Sequence, residues 1–150
     1  MFGPLYLLAL IPQGCTGPEL EIENTVRAYN RKYTEALAGA GEGVMEFFVT
    51  PRQRRRIGSS IVSIRKDKRL LVTELTFLEF DGITVSEGAT EASVRTRERW
   101  DNHFIDMRTG KRLTNREVSA FQSVYHLVRM DGRWVVDRIE SRLWRAGEPE

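Results

Sequence analysis

Apolar residues repeat every three or four positions in the first half of the chain and every second position in the later half, so helices should precede strands. Ile22, Val26, Tyr29, Tyr33 and Leu37 recur at intervals of four, three, four and four, tracing one stripe of a helix over Glu19 to Ala38. Glu19, Glu21 and Glu23 occupy its first turns, where carboxylates complement the helix dipole. Gly39, Gly41 and Gly43 end it, and Val44, Met45, Phe47 and Phe48 predict a short, buried second helix. Thr50-Pro51-Arg52-Gln53 then opens a third: threonine at the N-cap, proline at the first helical position and glutamine three residues after the cap form a capping-box signature. Ile57, Ile61 and Ile64 give this helix its buried stripe, running to about Lys66.

Beyond the polar corner Arg65 to Arg69 the period becomes two. Leu70 to Leu78 reads as a strand covered on both sides for part of its length, Asp81-Gly82 as a turn, and Ile83 to Ser86 as a further short strand. A long strand from Ala89 to Phe104 follows, with Ala92, Val94, Thr96, Glu98 and Trp100 on one face and Ser93, Arg95, Arg97 and Arg99 on the other. In Phe121 to Leu143 two β-prone runs flank Asp131-Gly132, the pair that a type I′ hairpin turn selects because both positions need positive φ. A two-residue turn places Met130 opposite Arg133, Val128 opposite Val135, His126 opposite Asp137 and Val124 opposite Ile139. This face has the more continuous aliphatic set and is expected to meet the core, leaving Phe121, Tyr125, Leu127, Trp134 and Val136 on a second face among Arg129, Arg138 and Arg142. The expectation is an α+β domain in which three N-terminal helices pack on a curved antiparallel sheet.

Composition adds little to this: 41% hydrophobic and 29% charged residues suit one globular domain with a real core. The net charge of +2 gives no case for nucleic acid. The first fifteen residues matter more. Met1 to Cys15 holds no charge, and Leu5 to Ile11 is an unbroken apolar run, too short to span a bilayer but of signal-peptide length. Cys15, the chain's single cysteine, follows Gly14 just past that run, and the arrangement resembles a bacterial lipoprotein signal, cleaved before a cysteine that becomes lipid-modified. The chain then divides into a signal (1–15), a short linker (16–18), one domain (19–144) and a loose tail (145–150), exported to the periplasm or anchored at a membrane. The alternative is a cytoplasmic protein with a buried N-terminal strand and an inert thiol.

Several residues are candidates for chemistry. His126 opposite Asp137 would set an imidazole beside a carboxylate, the pairing used in acid-base catalysis and equally a way for two polar groups to satisfy each other. Glu98, on the same strand face as Trp100, could serve as an acid if burial lifted its pKa, and Tyr29 and Tyr33 could present hydroxyls to a pocket. Asp101, His103 and Asp106 alternate, yet lack paired histidines or a thiolate, so no metal and no other cofactor is expected. Arg52, Arg54, Arg55 and Arg56 crowd the start of the third helix, where positive charge opposes the dipole, and an anionic partner would explain them. Tyr125 and Trp134, interleaved with arginine, have the composition of a binding face for another protein or a second copy of the chain.

The order of elements, with Val26, Tyr29 and Tyr33 on the first helix, Thr50-Pro51 opening the third, Ala92-x-Val94 and Glu98-x-Trp100 on the long strand, and Tyr125-x-Leu127-x-Arg129-x-Asp131-Gly132-x-Trp134 in the hairpin, resembles the nuclear-transport-factor-2-like superfamily. The resemblance covers Glu19 to Leu143 and is nearest to the IMS-type domains of chloroplast-division and bacterial envelope proteins. It implies a cone-shaped α+β fold, often with an acid near the mouth, a place Glu98 would fill. It also implies a non-catalytic binding or assembly module of the envelope. The competing expectation is a small-molecule enzyme of the ketosteroid-isomerase or SnoaL-like kind, with Tyr29, Tyr33, Trp100, His126 and Asp137 lining the pocket and His126, Asp137 or Glu98 moving protons.

Overall fold

The computed structural model describes residues 17–145. The first and third expected helices are present as α1 (Gly17–Glu35) and α2 (Pro51–Lys66). The second is not. Between them lie a π-type turn over Ala36–Ala40 and a single 3-10 turn over Glu42–Met45, so two helices, rather than three, precede the sheet. Gly39 and Gly41, at φ 132° and 84°, break the backbone twice within three residues, and the remaining stretch is too short to nucleate a helix of its own. Thr50 caps α2 as expected, its hydroxyl accepting from the Gln53 amide at 3.3 Å. The reciprocal half of the capping box is missing, because the Gln53 side chain turns inward to Tyr29.

Four strands, β1 (Arg69–Val85), β2 (Glu91–Asp106), β3 (Glu117–Met130) and β4 (Arg133–Leu143), form one antiparallel sheet in chain order. Asp81-Gly82 is no turn: β1 runs through it, and the register against β2 slips there and again between Leu75 and Phe77. The β3–β4 turn is as the sequence predicts, with Asp131 and Gly132 at φ 51° and 77°.

The hairpin's register holds only part of the way. Leu127 faces Val136 as expected, but the next pairs are His126 with Arg138 and Tyr125 with Ile139, leaving Asp137 unpaired in a bulge. The bulge has a visible cause. Residues 48–50 run parallel to β4 at this point, with the Val136 amide donating to Phe48 and the Thr50 amide donating to Val136. Asp137 leaves the ladder to accept from Thr50 Oγ1 at 2.8 Å and to pair with Arg52.

The expected core face of the hairpin is inverted. Tyr125, Leu127, Trp134 and Val136 face the helices and are at most 4% exposed, whereas Val124 and Val128 are only half-buried. The larger side chains win because aromatic burial removes more area from water than a row of valines. Ile139 joins the core side only because the bulge reverses the parity of β4 beyond it. Val135, on the opposite side, is also buried and lines a groove with Val49, Pro51 and Val62. The main core brings Ile22, Val26 and Tyr29 of α1 and Ile57 and Ile61 of α2 onto Ala92 and Val94 of β2 and these hairpin residues.

Candidate functional site

All four strands and both helices line one cavity of about 550 Å³, so the sheet curls around it with the helices closing the other side. Alternation along β2 directs Thr96, Glu98 and Trp100 to this side, where they are 2%, 3% and 7% exposed. Three neutral donors converge on the Glu98 carboxylate. Oε1 accepts from the hydroxyls of Thr96 and Tyr125 at 2.7 and 2.6 Å, and Oε2 accepts from the Trp100 indole at 2.9 Å. No ion pair is formed by Glu98 among the described residues, so hydrogen bonds alone offset the burial of its charge.

The tyrosines form the wall beside it. Tyr29 stacks on Tyr33 with ring centres 5.9 Å apart and meets Tyr125 edge-on at the same separation. Burial pushes all three hydroxyls above the ordinary tyrosine pKa, and for Tyr125 the neighbouring Glu98 charge pushes further in the same direction. They stay protonated, and Tyr125 donates to Glu98. The Gln53 amide donates to the Tyr29 hydroxyl at 3.3 Å, and Asn30 lies 3.0 Å from the Tyr125 oxygen. Arg56, Ser60 and Glu117 lie at the exposed rim.

No protein-family model and no curated protein matches this sequence. Solved structures do resemble the fold. The intermembrane-space region of the chloroplast protein ARC6 superposes with a TM-score of 0.71 at 14% identity, covering 82% of this chain and 95% of that one. A ketosteroid isomerase-like protein from Erwinia carotovora atroseptica reaches 0.50 at 16% identity, covering 83% and 94%. A putative calcium/calmodulin-dependent kinase II association domain from Exiguobacterium sibiricum reaches 0.53 at 12% identity, covering 89% and 98%. The fold is nuclear-transport-factor-2-like. At these identities the likeness concerns the fold alone.

In this nuclear-transport-factor-2-like cone Glu98, Trp100, Tyr29 and Tyr33 stand together at the cavity, while His126 and Asp137 do not line it. The bulge separates that pair: His126 faces Arg138, and its Nδ1 lies 3.5 Å from Ser93 Oγ and its Nε2 3.7 Å from Glu140. Both instead line a second pocket of about 480 Å³ on the other face of the sheet, beside Arg52. Tyr125 and Trp134, expected on an exposed partner face, are 2% and 4% exposed and belong to the core. Of the arginine cluster, Arg52 is held by Asp137 and Arg54 approaches Glu46 at 3.4 Å, while Arg55 and Arg56 project from α2 into solvent. Among the described residues no three His, Cys, Asp or Glu side chains converge to hold a metal; Cys15 lies outside them.

Two cavity residues escape a reading by pattern. Asn30, 2% exposed, sits four residues after Val26 at the border of the α1 stripe, where its polarity reads as the start of the solvent face. Gln53, 7% exposed, is accounted for locally as part of the cap and gives no hint that it also reaches α1.

Proposed function

We propose that the chain is a non-catalytic binding module whose concave cavity receives a ligand group or a partner's side chain, and that it works in the bacterial cell envelope, tethered through Cys15. The observation carrying the first half is the state of Glu98: donors of the cone itself occupy three of its four acceptor sites and hold it in the wall. A general base needs a lone pair directed at the substrate proton. Glu98 fixes the cavity wall instead, and His126 and Asp137 stand away from it. Ten of the nineteen residues lining the cavity are aromatic or aliphatic, a surface suited to holding a group that is apolar in part.

The competing enzyme reading rests on the same open cavity with an acid and tyrosines in its wall, and on the fold shared with a ketosteroid isomerase-like protein. Deuterium uptake separates the two. With 3-cyclohexenone in heavy water, followed by NMR, the protein should leave α-carbon exchange at the buffer rate. Exchange above that rate which disappears in Glu98→Gln would replace the binding reading by proton-transfer catalysis.

The envelope half is supported by the apolar run before Cys15 and by the compartment named for the ARC6 region. No described helix is long and apolar enough to cross a membrane, so attachment would fall to the lipid. Expressed in a bacterium fed a labelled fatty acid, the wild-type chain should carry label and Cys15→Ala should carry none. Equal absence of label from both would remove the tether from the proposal.

A further inference from the structure

The charges around the cavity do not balance. Glu98, in its wall, carries a negative charge that three neutral donors solvate but do not cancel. The other charged residues lining the cavity, Glu117 and Arg56, are at the exposed rim, where solvent and salt screen them. Arg69 is engaged elsewhere, its guanidinium 3.9 Å from the centre of the Phe104 ring and 3.4 Å from Asp67. The interior of the cone is therefore negative. In a space walled off from bulk water such a field acts without direct contact, attracting cations and repelling anions.

The rest of the wall suits a cation of one kind. Six of the lining residues are aromatic, and Tyr33, Phe104 and Phe121 are only half-buried where they border the cavity. Ring faces attract cations, most strongly where water is excluded, and Phe104 already makes such a contact with Arg69. Acceptors for N–H groups are scarce, however. Glu98 is 3% exposed with three of its four acceptor sites taken, Thr73 bonds to Asn102, and Ser141 bonds to Ser123. A primary ammonium or a guanidinium entering here would lose its water without replacement. A quaternary ammonium has no N–H to satisfy and spreads its charge over alkyl groups that rings can hold directly.

We infer that the cavity binds an organic cation of the quaternary ammonium kind, its charge held by the field of Glu98 and its alkyl and apolar parts by the aromatic wall. The inference rests on the cavity-binding reading above and specifies its ligand class.

The test uses three probes with the full chain: benzyltrimethylammonium; neopentylbenzene, the same shape with carbon in place of the charged nitrogen; and benzylsulfonate, an anion. Affinities are read from NMR shifts of the protein, including the Trp100 indole N–H, which donates to Glu98. The cation should bind at least about tenfold more tightly than either other probe, the scale of one desolvated cation–ring contact. Its preference over neopentylbenzene should fall to near unity in Glu98→Gln and persist in Glu117→Gln. It should also persist in about 0.5 M sodium chloride, which screens rim charges far more than a buried one, and this reading stands even where Glu98→Gln fails to fold. A preference lost in salt, or retained in a folded Glu98→Gln, would overturn the assignment to Glu98. Neopentylbenzene or benzylsulfonate binding as tightly as the cation would overturn the cation assignment while leaving the cavity as a binding site. Binding of none of the three up to their solubility limits, or binding that leaves the Trp100 signal unmoved, would overturn both.

Discussion

Tyr125→Ala should destabilise the domain by about 5–8 kcal/mol, enough to leave a marginal fold largely unstructured in dilute buffer. About 3–5 kcal/mol of this is the usual cost of emptying a core aromatic site. The remainder comes from Glu98, whose Oε1 loses the 2.6 Å bond from Tyr125 while staying buried. Tyr125→Phe separates the two contributions, since it keeps the ring against Tyr29 and removes only the hydroxyl. It should cost about 2–3 kcal/mol by urea denaturation, the range for a hydrogen bond to a charged group. A further prediction follows from coupling: in a Glu98→Gln background the same substitution should cost clearly less, because an amide's need for donors is smaller than a carboxylate's. Equal costs in the two backgrounds would mean that Tyr125 contributes through packing alone, and the account of a carboxylate held by three neutral donors would fail.

Deleting Asp137 should cost only slightly more than replacing it. Asp137→Ala removes the bonds to Thr50 and Arg52 and should cost about 1–2 kcal/mol, since one is a part-buried hydrogen bond and the other a half-exposed ion pair. Deletion instead closes the bulge and restores uninterrupted pairing from the turn onward. Every residue of β4 beyond that point keeps its partner and its side, Arg138 opposite His126 and Ile139 opposite Tyr125. The deletion variant should therefore keep a cooperative thermal transition by circular dichroism, lowered about as far as that of Asp137→Ala. Loss of the transition would show that the bulge itself, and not only the Asp137 side chain, is required to dock residues 48–50 on β4.

This bulge also marks where the sequence stops being readable. Turn chemistry is local, and Asp131-Gly132 with its flanking β-prone runs gives the hairpin and its first four pairs without any tertiary information. The extra residue at Asp137 is imposed by a segment almost ninety positions away in the chain, Phe48 to Thr50, and no short-range pattern announces it. One hint exists, that aspartate is uncommon inside a strand and here interrupts a run of valines. From that missed slip follows the displaced His126–Asp137 pair; the inverted face, and with it the assignment of Tyr125 and Trp134 to an exposed surface, comes from weighting a row of valines above the larger aromatic side chains. The α1 stripe, the Thr50 cap and the inward face of β2 are legible for the opposite reason, since periodicity and capping are settled within one element. The middle helix fails because Met45 is fully buried while Phe47 is 63% exposed: apolar residues clustered in sequence do not share a face in a turn this short. Asn30 and Gln53 were illegible as cavity residues, because what makes them notable is the tyrosine hydroxyl each meets, a property of three-dimensional surroundings.

The two register slips in β1 matter for the molecule in concentrated solution. β1 is 17 residues long and borders the sheet, with its outward amides and carbonyls offered to whatever drifts alongside. A straight, flat border of that length is the template on which foreign strands zip and fibres begin. Interrupted at Leu75–Phe77 and again at Phe80–Ile83, it offers runs of at most seven residues instead of one of 17. Removing Gly82 would undo the second interruption and lengthen the run open to such pairing.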